Sequence, residues 1–92
     1  MYMRFEKQVV ILNRLGLHAR PASRFAQMAS GFESDIWLIR DGESVDGKSI
    51  LEVLTFACPS GTKLVVRAEG PDAQEAVEAL ADLVATCFGE ID

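Results

Sequence analysis

The sequence has one histidine and two cysteines, few of the side chains that hold transition metals. Cys58 and Cys87 lie far apart and form no CxxC pair, whereas a structural zinc ion needs about four matched ligands. Both cysteines stand among apolar residues, which favours buried, reduced thiols over a disulfide. We therefore expect no metal site and no cofactor.

Long apolar runs and basic residues are also scarce. No apolar stretch reaches the roughly 18–20 residues that span a bilayer, and the charged N-terminus does not resemble a secretory signal. Nine basic residues stand against 14 acidic ones, for a net charge of −5, whereas nucleic acid is bound by clustered Lys and Arg. We expect a cytoplasmic protein that neither inserts into a membrane nor binds nucleic acid.

What the sequence does have is enough apolar content, 49%, for a hydrophobic core. Because 92 residues leave room for only one core, residues 1–92 are expected to form a single domain. Apolar periodicity and turn residues predict strands over 5–12, 35–40, 43–46 and 62–69. They predict helices from 19–21 to Gly31, from Ile50 to a point before Pro59, and from Ala73 to Cys87.

The order βαββαβα in so short a chain indicates an α+β fold, with three helices gathered on one face of a four-stranded sheet. The opposite sheet face would then carry the apolar residues Val10, Leu12, Trp37, Ile39 and Val65. Two interpretations stay open for this face. The first is that it shows only the β-propensity of an exposed sheet, and the second is that it forms a surface for a partner or a second copy.

Two helix starts carry capping signals. Ser49 and Glu52 have the spacing of a capping box, in which the serine caps the helix and the glutamate reaches back to it. Asp72 and Glu75 repeat that spacing before the last helix. Both serine and aspartate are therefore predicted to accept hydrogen bonds from their own helices.

The stretch from Gly16 to Ala22, GLHARPA, joins the first strand to the first helix and contains the only histidine, His18. Pro21 suits a first helical turn, where its missing N–H costs nothing. The backbone N–H groups at such a helix end point into solvent and suit a phosphate.

His18 has two interpretations. A lone histidine is commonly an ordinary surface or core residue. A helix N-terminus, however, disfavours a charged imidazolium, favours the neutral and nucleophilic ring, and stabilises a phosphoryl dianion attached to it. Arg20 adds donors that fit phosphate oxygens. The local pattern therefore favours a phosphohistidine.

GLHARPA closely resembles the active-site signature of HPr, the histidine-containing phosphocarrier family of the bacterial phosphotransferase system. The sequence GKSI at 47–50 is similar to the family's serine site, and AEG at 68–70 resembles the turn before its last helix. The resemblance covers nearly the whole chain. It implies an open-faced β-sandwich with a four-stranded antiparallel sheet.

The same resemblance implies roles for individual residues. His18 would accept a phosphoryl group from phosphorylated enzyme I and pass it to an enzyme IIA-type acceptor, while Arg20 would steady the group. Ser49 matches the serine that HPr kinase/phosphorylase modifies in some bacteria. The residues that would bind partners near the histidine are Leu17, Arg20, Ile50, Leu51 and Leu54.

Three functional classes fit the sequence to different degrees. A phosphocarrier without a substrate pocket of its own, and hence not an enzyme, explains the histidine best. A regulatory binding module controlled through Ser49 is the alternative, although relatives of that kind lack the histidine. A hydrolase with His18 as base fits poorly, because no nucleophile–base–orienter set is visible. The C-terminal stretch is more similar to the nitrogen-related NPr type, so the sugar and nitrogen branches both stay open.

Overall fold

A computed structural model describes residues 3–56 and 58–90; the extreme ends of the predicted domain 1–92 lie outside them. The strands are β1 (Met3–Val10), β2 (Asp35–Arg40), β3 (Glu43–Asp46) and β4 (Lys63–Gly70). The helices are α1 (Ala19–Ser30), α2 (Ile50–Thr55) and α3 (Ala73–Ala85), followed by a C-terminal turn (Cys87–Gly89). The strands form one sheet in the order β1-β4-β2-β3, and every pairing is antiparallel. The predicted α+β fold and element order are confirmed.

The two faces of the sheet differ in burial. Successive side chains of a strand point to opposite faces, so each strand contributes alternate residues to the helical face and to the open face. On the helical face, the buried hydrophobic strand residues are Val9, Ile36, Leu38, Leu64, Val66 and Ala68. Phe25 of α1 and Leu80 of α3 are also at most 1% exposed and belong to the same core cluster. The core therefore lies between the sheet and the helices, as the strand parity predicted.

The open face of the sheet mixes apolar and charged side chains. Trp37 is half-buried beside Arg67 of β4, whereas Leu12, just beyond β1, is 53% exposed. Glu6 contacts both Arg67, at 2.5 Å, and Arg4, at 3.2 Å. The hydrogen bond from Arg67, reinforced by that from Arg4, lowers the pKa of the Glu6 carboxyl. Ion pairs between Glu6 and two arginines, Arg4 and Arg67, thus lie on this mixed face.

The first strand lies two residues earlier than predicted, at 3–10 instead of 5–12. Its register is set by β4, which supplies ladder partners from Gly70 opposite Met3 to Lys63 opposite Val10. Ile11 still exchanges hydrogen bonds with the turn before β4, but no strand continues there. The sequence pattern could not show where the partner strand would end.

Asp72 precedes α3 without capping it, so that prediction was wrong. Its carboxylate accepts hydrogen bonds from the backbone N–H and hydroxyl of Ser34 and from the N–H of Glu33. The backbone of Asp72, with φ −114° and ψ 28°, also departs from the extended conformation of a capping residue. The carboxylate of Asp72 thus supplies hydrogen-bond acceptors to the loop between α1 and β2 and holds this loop beside the start of α3.

The tight hairpin turn predicted at Asp41 and Gly42 is confirmed. Asp41 and Gly42 have φ of +50° and +81°, the left-handed pair that a tight hairpin requires. They join β2 to β3 with the register Arg40 opposite Glu43.

Across the described ranges, no helix is both long enough and apolar enough to traverse a bilayer.

Candidate functional site

Gly16 anchors the junction that leads into the candidate site. Its φ is +72°, and a Cβ added there would lie 2.3 Å from the carbonyl oxygen of Cys58. The next residue, Leu17, donates its backbone N–H to that same oxygen at 2.8 Å. Only glycine fits this close approach, so the strand-to-helix junction is held against the loop that follows α2.

His18 is the N-cap of α1. Its backbone is extended, and its carbonyl accepts a hydrogen bond from the N–H of Ala22 at 2.9 Å. Because Pro21 has no N–H, the donors left at the start of the helix belong to Ala19 and Arg20, and no side-chain cap occupies them. The positive end of the helix dipole lies at the same place. This arrangement can hold an anion beside the imidazole.

The imidazole of His18 is only partly accessible. Its side chain is 36% exposed, yet the Nε2 atom is enclosed and lies 3.3 Å from Oε2 of Glu90. A surface cleft extends from this ring along α1 and is lined by His18, Ala19, Arg20, Ser23, Arg24, Gln27 and Ile50. Arg20 is exposed within it. The predicted pair, His18 and Arg20, therefore shares one open cleft.

Ser49 lies at the start of α2 and caps it, as predicted. Its hydroxyl accepts a hydrogen bond from the N–H of Glu52 at 3.3 Å. The reciprocal half of the predicted capping box does not form, because the Glu52 carboxylate accepts from the N–H of Asp46 at 3.0 Å. Ile50, which follows Ser49, lines the histidine cleft and so connects the two sites.

The residues expected to bind partners differ in exposure. Ile50 and Leu51 are 38% and 73% exposed, and Leu54 is half-buried against the core. Leu17 is only 4% exposed and belongs to the core cluster. Its inclusion in a docking surface is therefore corrected, because the Leu17 side chain packs in the core while its backbone N–H is held by the carbonyl of Cys58.

Three residues of the site were missed by sequence reasoning. Glu90 lies beside His18, and Asn13 donates its side-chain amide to Glu90 at 3.1 Å. Arg24 lines the cleft and donates a hydrogen bond to the carbonyl of Phe88. Its spacing of one helical turn from Arg20 was an available signal. No local pattern linked Asn13 and Glu90 to the histidine.

Comparisons with known proteins agree with this architecture. The family model described as "PTS HPr component phosphorylation site" matches residues 5–86. The phosphocarrier protein HPr of Neisseria meningitidis serogroup A is 40% identical over 85 residues, which cover 92% of this chain and 96% of that protein. The HPr-like protein Crh of Bacillus subtilis is 42% identical over 79 residues, or 86% of this chain and 93% of its own length.

Solved structures show the same likeness. The crystal structure of HPr-C-His from Thermoanaerobacter tengcongensis superposes with a TM-score of 0.91 at 42% identity, covering 96% of this chain and 99% of that one. The family match spans both the histidine junction and Ser49. The chain belongs to the HPr family of the phosphotransferase system.

Proposed function

We propose that this protein is a cytoplasmic phosphocarrier of the phosphoenolpyruvate-dependent phosphotransferase system. It takes a phosphoryl group onto His18 from phosphorylated enzyme I and passes it to an enzyme IIA-type acceptor. The observation that carries the proposal is the position of His18: its partly exposed imidazole lies at the start of α1, where no side chain of the described residues caps the first backbone N–H groups. Family membership supports the same reaction.

Nδ1 of His18 is the nitrogen that accepts the group, because Nε2 is enclosed and cannot be reached by a partner. Its lone pair forms the bond to phosphorus while the bond between phosphorus and the donor group of enzyme I breaks. The negative phosphoryl oxygens then lie at the start of α1, where the N–H groups of Ala19 and Arg20 can donate to them. No pocket is needed, since the partners supply the rest of each reaction site.

Arg20 steadies the phosphoryl group. Its side chain is exposed in the cleft, and within the described ranges it makes no hydrogen bond or ion pair. The guanidinium is therefore available to donate two parallel hydrogen bonds to phosphate oxygens. Arg24, in contrast, already donates to the carbonyl of Phe88 and serves the packing of the C-terminal turn.

Partners dock on the apolar surface formed by Ile50, Leu51 and Leu54 of α2. The two exposed side chains, Ile50 and Leu51, together offer an apolar contact at the edge of the histidine cleft. Enzyme I and the acceptor would use the same surface in turn, because each must reach Nδ1 of His18. A carrier can use one surface for both partners because it binds the donor and the acceptor one after the other.

Ser49 is the proposed regulatory site, modified by an HPr kinase/phosphorylase. A phosphate on its hydroxyl would add a charge of about −2 at a helix N-terminus, where the fold tolerates it. The same charge would lie directly beside Ile50 and Leu51 and would oppose docking of an apolar partner surface. Modification would thus reduce phosphoryl transfer without unfolding the protein.

A regulatory module that acts through Ser49 without any relay is the second candidate function. The observation in its favour is that Crh of Bacillus subtilis is as similar to this chain as the HPr proteins are. The partly exposed imidazole of His18, beside helix N–H groups that no side chain caps, favours the carrier.

One labelling experiment separates the two candidates. Wild type, His18→Ala and Ser49→Ala are incubated with enzyme I and radiolabelled phosphoenolpyruvate. Acid-labile label on the wild type and on Ser49→Ala, but not on His18→Ala, is the expected result. Equal labelling of all three, or none, would rule out the relay. Transfer from the labelled protein to enzyme IIA proteins of the sugar and nitrogen branches then identifies the acceptor.

Intact-mass analysis after incubation with HPr kinase/phosphorylase and ATP tests the regulatory site separately. A mass gain of one phosphate on the wild type, absent from Ser49→Ala, is expected. The modified wild type should then accept label from enzyme I more slowly than the unmodified protein.

A further inference from the structure

We propose that Arg40 is a positioning residue for His18. It holds the segment that follows α2, and the carbonyl of Cys58 in that segment holds the junction that leads to the histidine. The inference rests on the proposed function, in which His18 carries the phosphoryl group. It assigns a task in phosphoryl transfer to a side chain at the end of β2.

The guanidinium of Arg40 contacts the segment after α2 at three points. Its Nη1 donates to the carbonyl of Phe56 at 2.8 Å and lies 3.4 Å from the sulfur of Cys58. Its central carbon lies 4.9 Å from the centre of the Phe56 ring, within the roughly 6 Å of a cation–π contact. The thiol of Cys58 in turn lies 3.6 Å from the carbonyl of Phe56. One planar side chain therefore holds a carbonyl, a sulfur and a ring of this segment.

Arg40 also supplies a positive charge at the end of α2. The last carbonyls of a helix lack a partner within the helix, and the negative end of the helix dipole favours a cation beside them. Helix α2 has no basic residue in its own last turn, and Phe56 is its C-cap. The guanidinium at the Phe56 carbonyl therefore stabilises the end of α2 from a neighbouring element.

The carbonyl of Cys58 passes this position on to the histidine junction. It accepts the backbone N–H of Leu17, the residue before His18, at 2.8 Å. The same oxygen would lie 2.3 Å from a Cβ at Gly16, so the two backbones are in close contact. Leu17 is also buried in the core cluster. The backbone of His18 therefore starts from a point that the Cys58 carbonyl and the core fix together.

This connection keeps the docking surface and the nucleophile at a constant separation. A partner docks on α2, whereas the Nδ1 lone pair that attacks phosphorus belongs to His18. The bond from Nδ1 to phosphorus forms as the bond to the donor group breaks, and a misplacement of about 1 Å can slow such a step a hundredfold. Arg40 grips both the end of α2 and the segment that holds the junction, so it keeps the two in register.

The test measures phosphoryl transfer from enzyme I to the wild type, Arg40→Met, Arg40→Lys and, as a matched control, Arg67→Met. Arg67 is a half-buried arginine of the neighbouring strand β4, and its partner is Glu6 on the open face. Arg40→Met should lower the maximal rate about tenfold and leave KM within about twofold, because the docking residues are unchanged. Arg40→Lys keeps a charged donor without the planar fork, so it should recover part of that rate.

Hydrogen exchange of the Leu17 amide reports the connection itself. The amide of Val66 is the internal reference, because Val66 is fully buried in a central strand and its exchange follows global unfolding. Relative to Val66, exchange at Leu17 should rise about tenfold in Arg40→Met. The same ratio should stay at its wild-type value in Arg67→Met, which should lose stability alone.

A purely structural role for Arg40 would lower the free energy of unfolding and leave both the maximal rate and the exchange ratio at wild-type values, and that result would overturn the inference. So would slower transfer without faster Leu17 exchange, because the effect would then bypass the Cys58 carbonyl. If Arg40→Met does not fold, Arg40→Lys gives the comparison, and wild-type values of both quantities in that variant would overturn the inference. A wild type with a protected Leu17 amide that takes no label from enzyme I would instead overturn the proposed function.

Discussion

Asn13 and Glu90 are joined by a hydrogen bond of 3.1 Å between Nδ2 and Oε1, and this bond ties the loop after the first strand to the end of the chain. The loop leads directly to Gly16, whose carbonyl accepts from the same amide nitrogen. Two segments that are remote in sequence thus share one buried amide. The histidine lies between them and the first helix.

Asn13→Asp should destabilise the protein strongly at neutral pH. The new carboxylate would be buried against Glu90 and against the carbonyl of Gly16, both of which are acceptors. An unpaired buried charge costs about 3 kcal/mol or more, and we expect a loss of that size in the free energy of unfolding measured with urea. Gln8→Glu, the same change at an exposed position in β1, should stay within about 0.5 kcal/mol of the wild type. Equal effects at both positions would contradict the buried bond.

Gly16→Ala should be more damaging than Gly42→Ala. Both glycines have positive φ, but a Cβ at Gly16 would lie 2.3 Å from the carbonyl oxygen of Cys58, whereas a Cβ at Gly42 meets nothing within 4 Å. The Gly42 variant should lose about 1–2 kcal/mol for the left-handed backbone alone. The Gly16 variant should lose more and should accept phosphate more slowly, because the junction must shift. Chemical unfolding and labelling by enzyme I measure the two effects, and similar losses would refute the close approach.

The stability that Asp72 provides should depend on acid pH. Hydrogen bonds from Ser34 and Glu33 lower the pKa of the Asp72 carboxyl from its ordinary 3.8. The folded state thus favours the ionised form, and the stabilisation is complete above about pH 4, near the unfolded pKa. It should disappear as the pH falls through the lower folded value. Wild type should therefore be more stable than Asp72→Asn at pH 6, and the difference should shrink below pH 4. A difference that stayed constant from pH 6 to pH 2.5 would contradict this assignment.

The two cysteines should differ in reactivity. Cys58 is 2% exposed, and burial raises the pKa of its thiol despite the nearby Arg40. Cys87 is partly exposed in the C-terminal turn. Because alkylation requires an accessible thiolate, iodoacetamide should modify Cys87 first in the folded protein. Peptide mass spectrometry identifies the modified residue, and both thiols should react in urea. Preferential labelling of Cys58 without urea would contradict the burial of its thiol.

Predictions from the sequence were most accurate where a local preference sets the structure. The hairpin at Asp41 and Gly42 follows from two residues that tolerate positive φ. Likewise, Ile36 and Leu38 are both buried because alternate side chains of one strand point to the same face of the sheet. The junction at His18 was also predictable, since a proline within the first turn and a preceding glycine specify a helix start.

Predictions failed where a polar side chain had more than one available partner. Asp72 stands where a helix cap is expected, yet Ser34 and Glu33, remote in sequence, bind its carboxylate. Glu52 likewise reaches past Ser49 to the N–H of Asp46. A capping pattern states which donors are nearby in sequence and gives no information on donors brought close by another segment.

The sequence by itself determined the order of elements, the family and the candidate nucleophile, because periodicity, turn residues and the GLHARPA motif are all local features. Only the tertiary structure decided that Leu17 is buried and that Glu90 meets His18. Both outcomes depend on contacts between distant segments: the carbonyl of Cys58 against Gly16, and the left-handed turn fastened by Phe88. Such contacts form only when the whole core packs, and no local pattern encodes them.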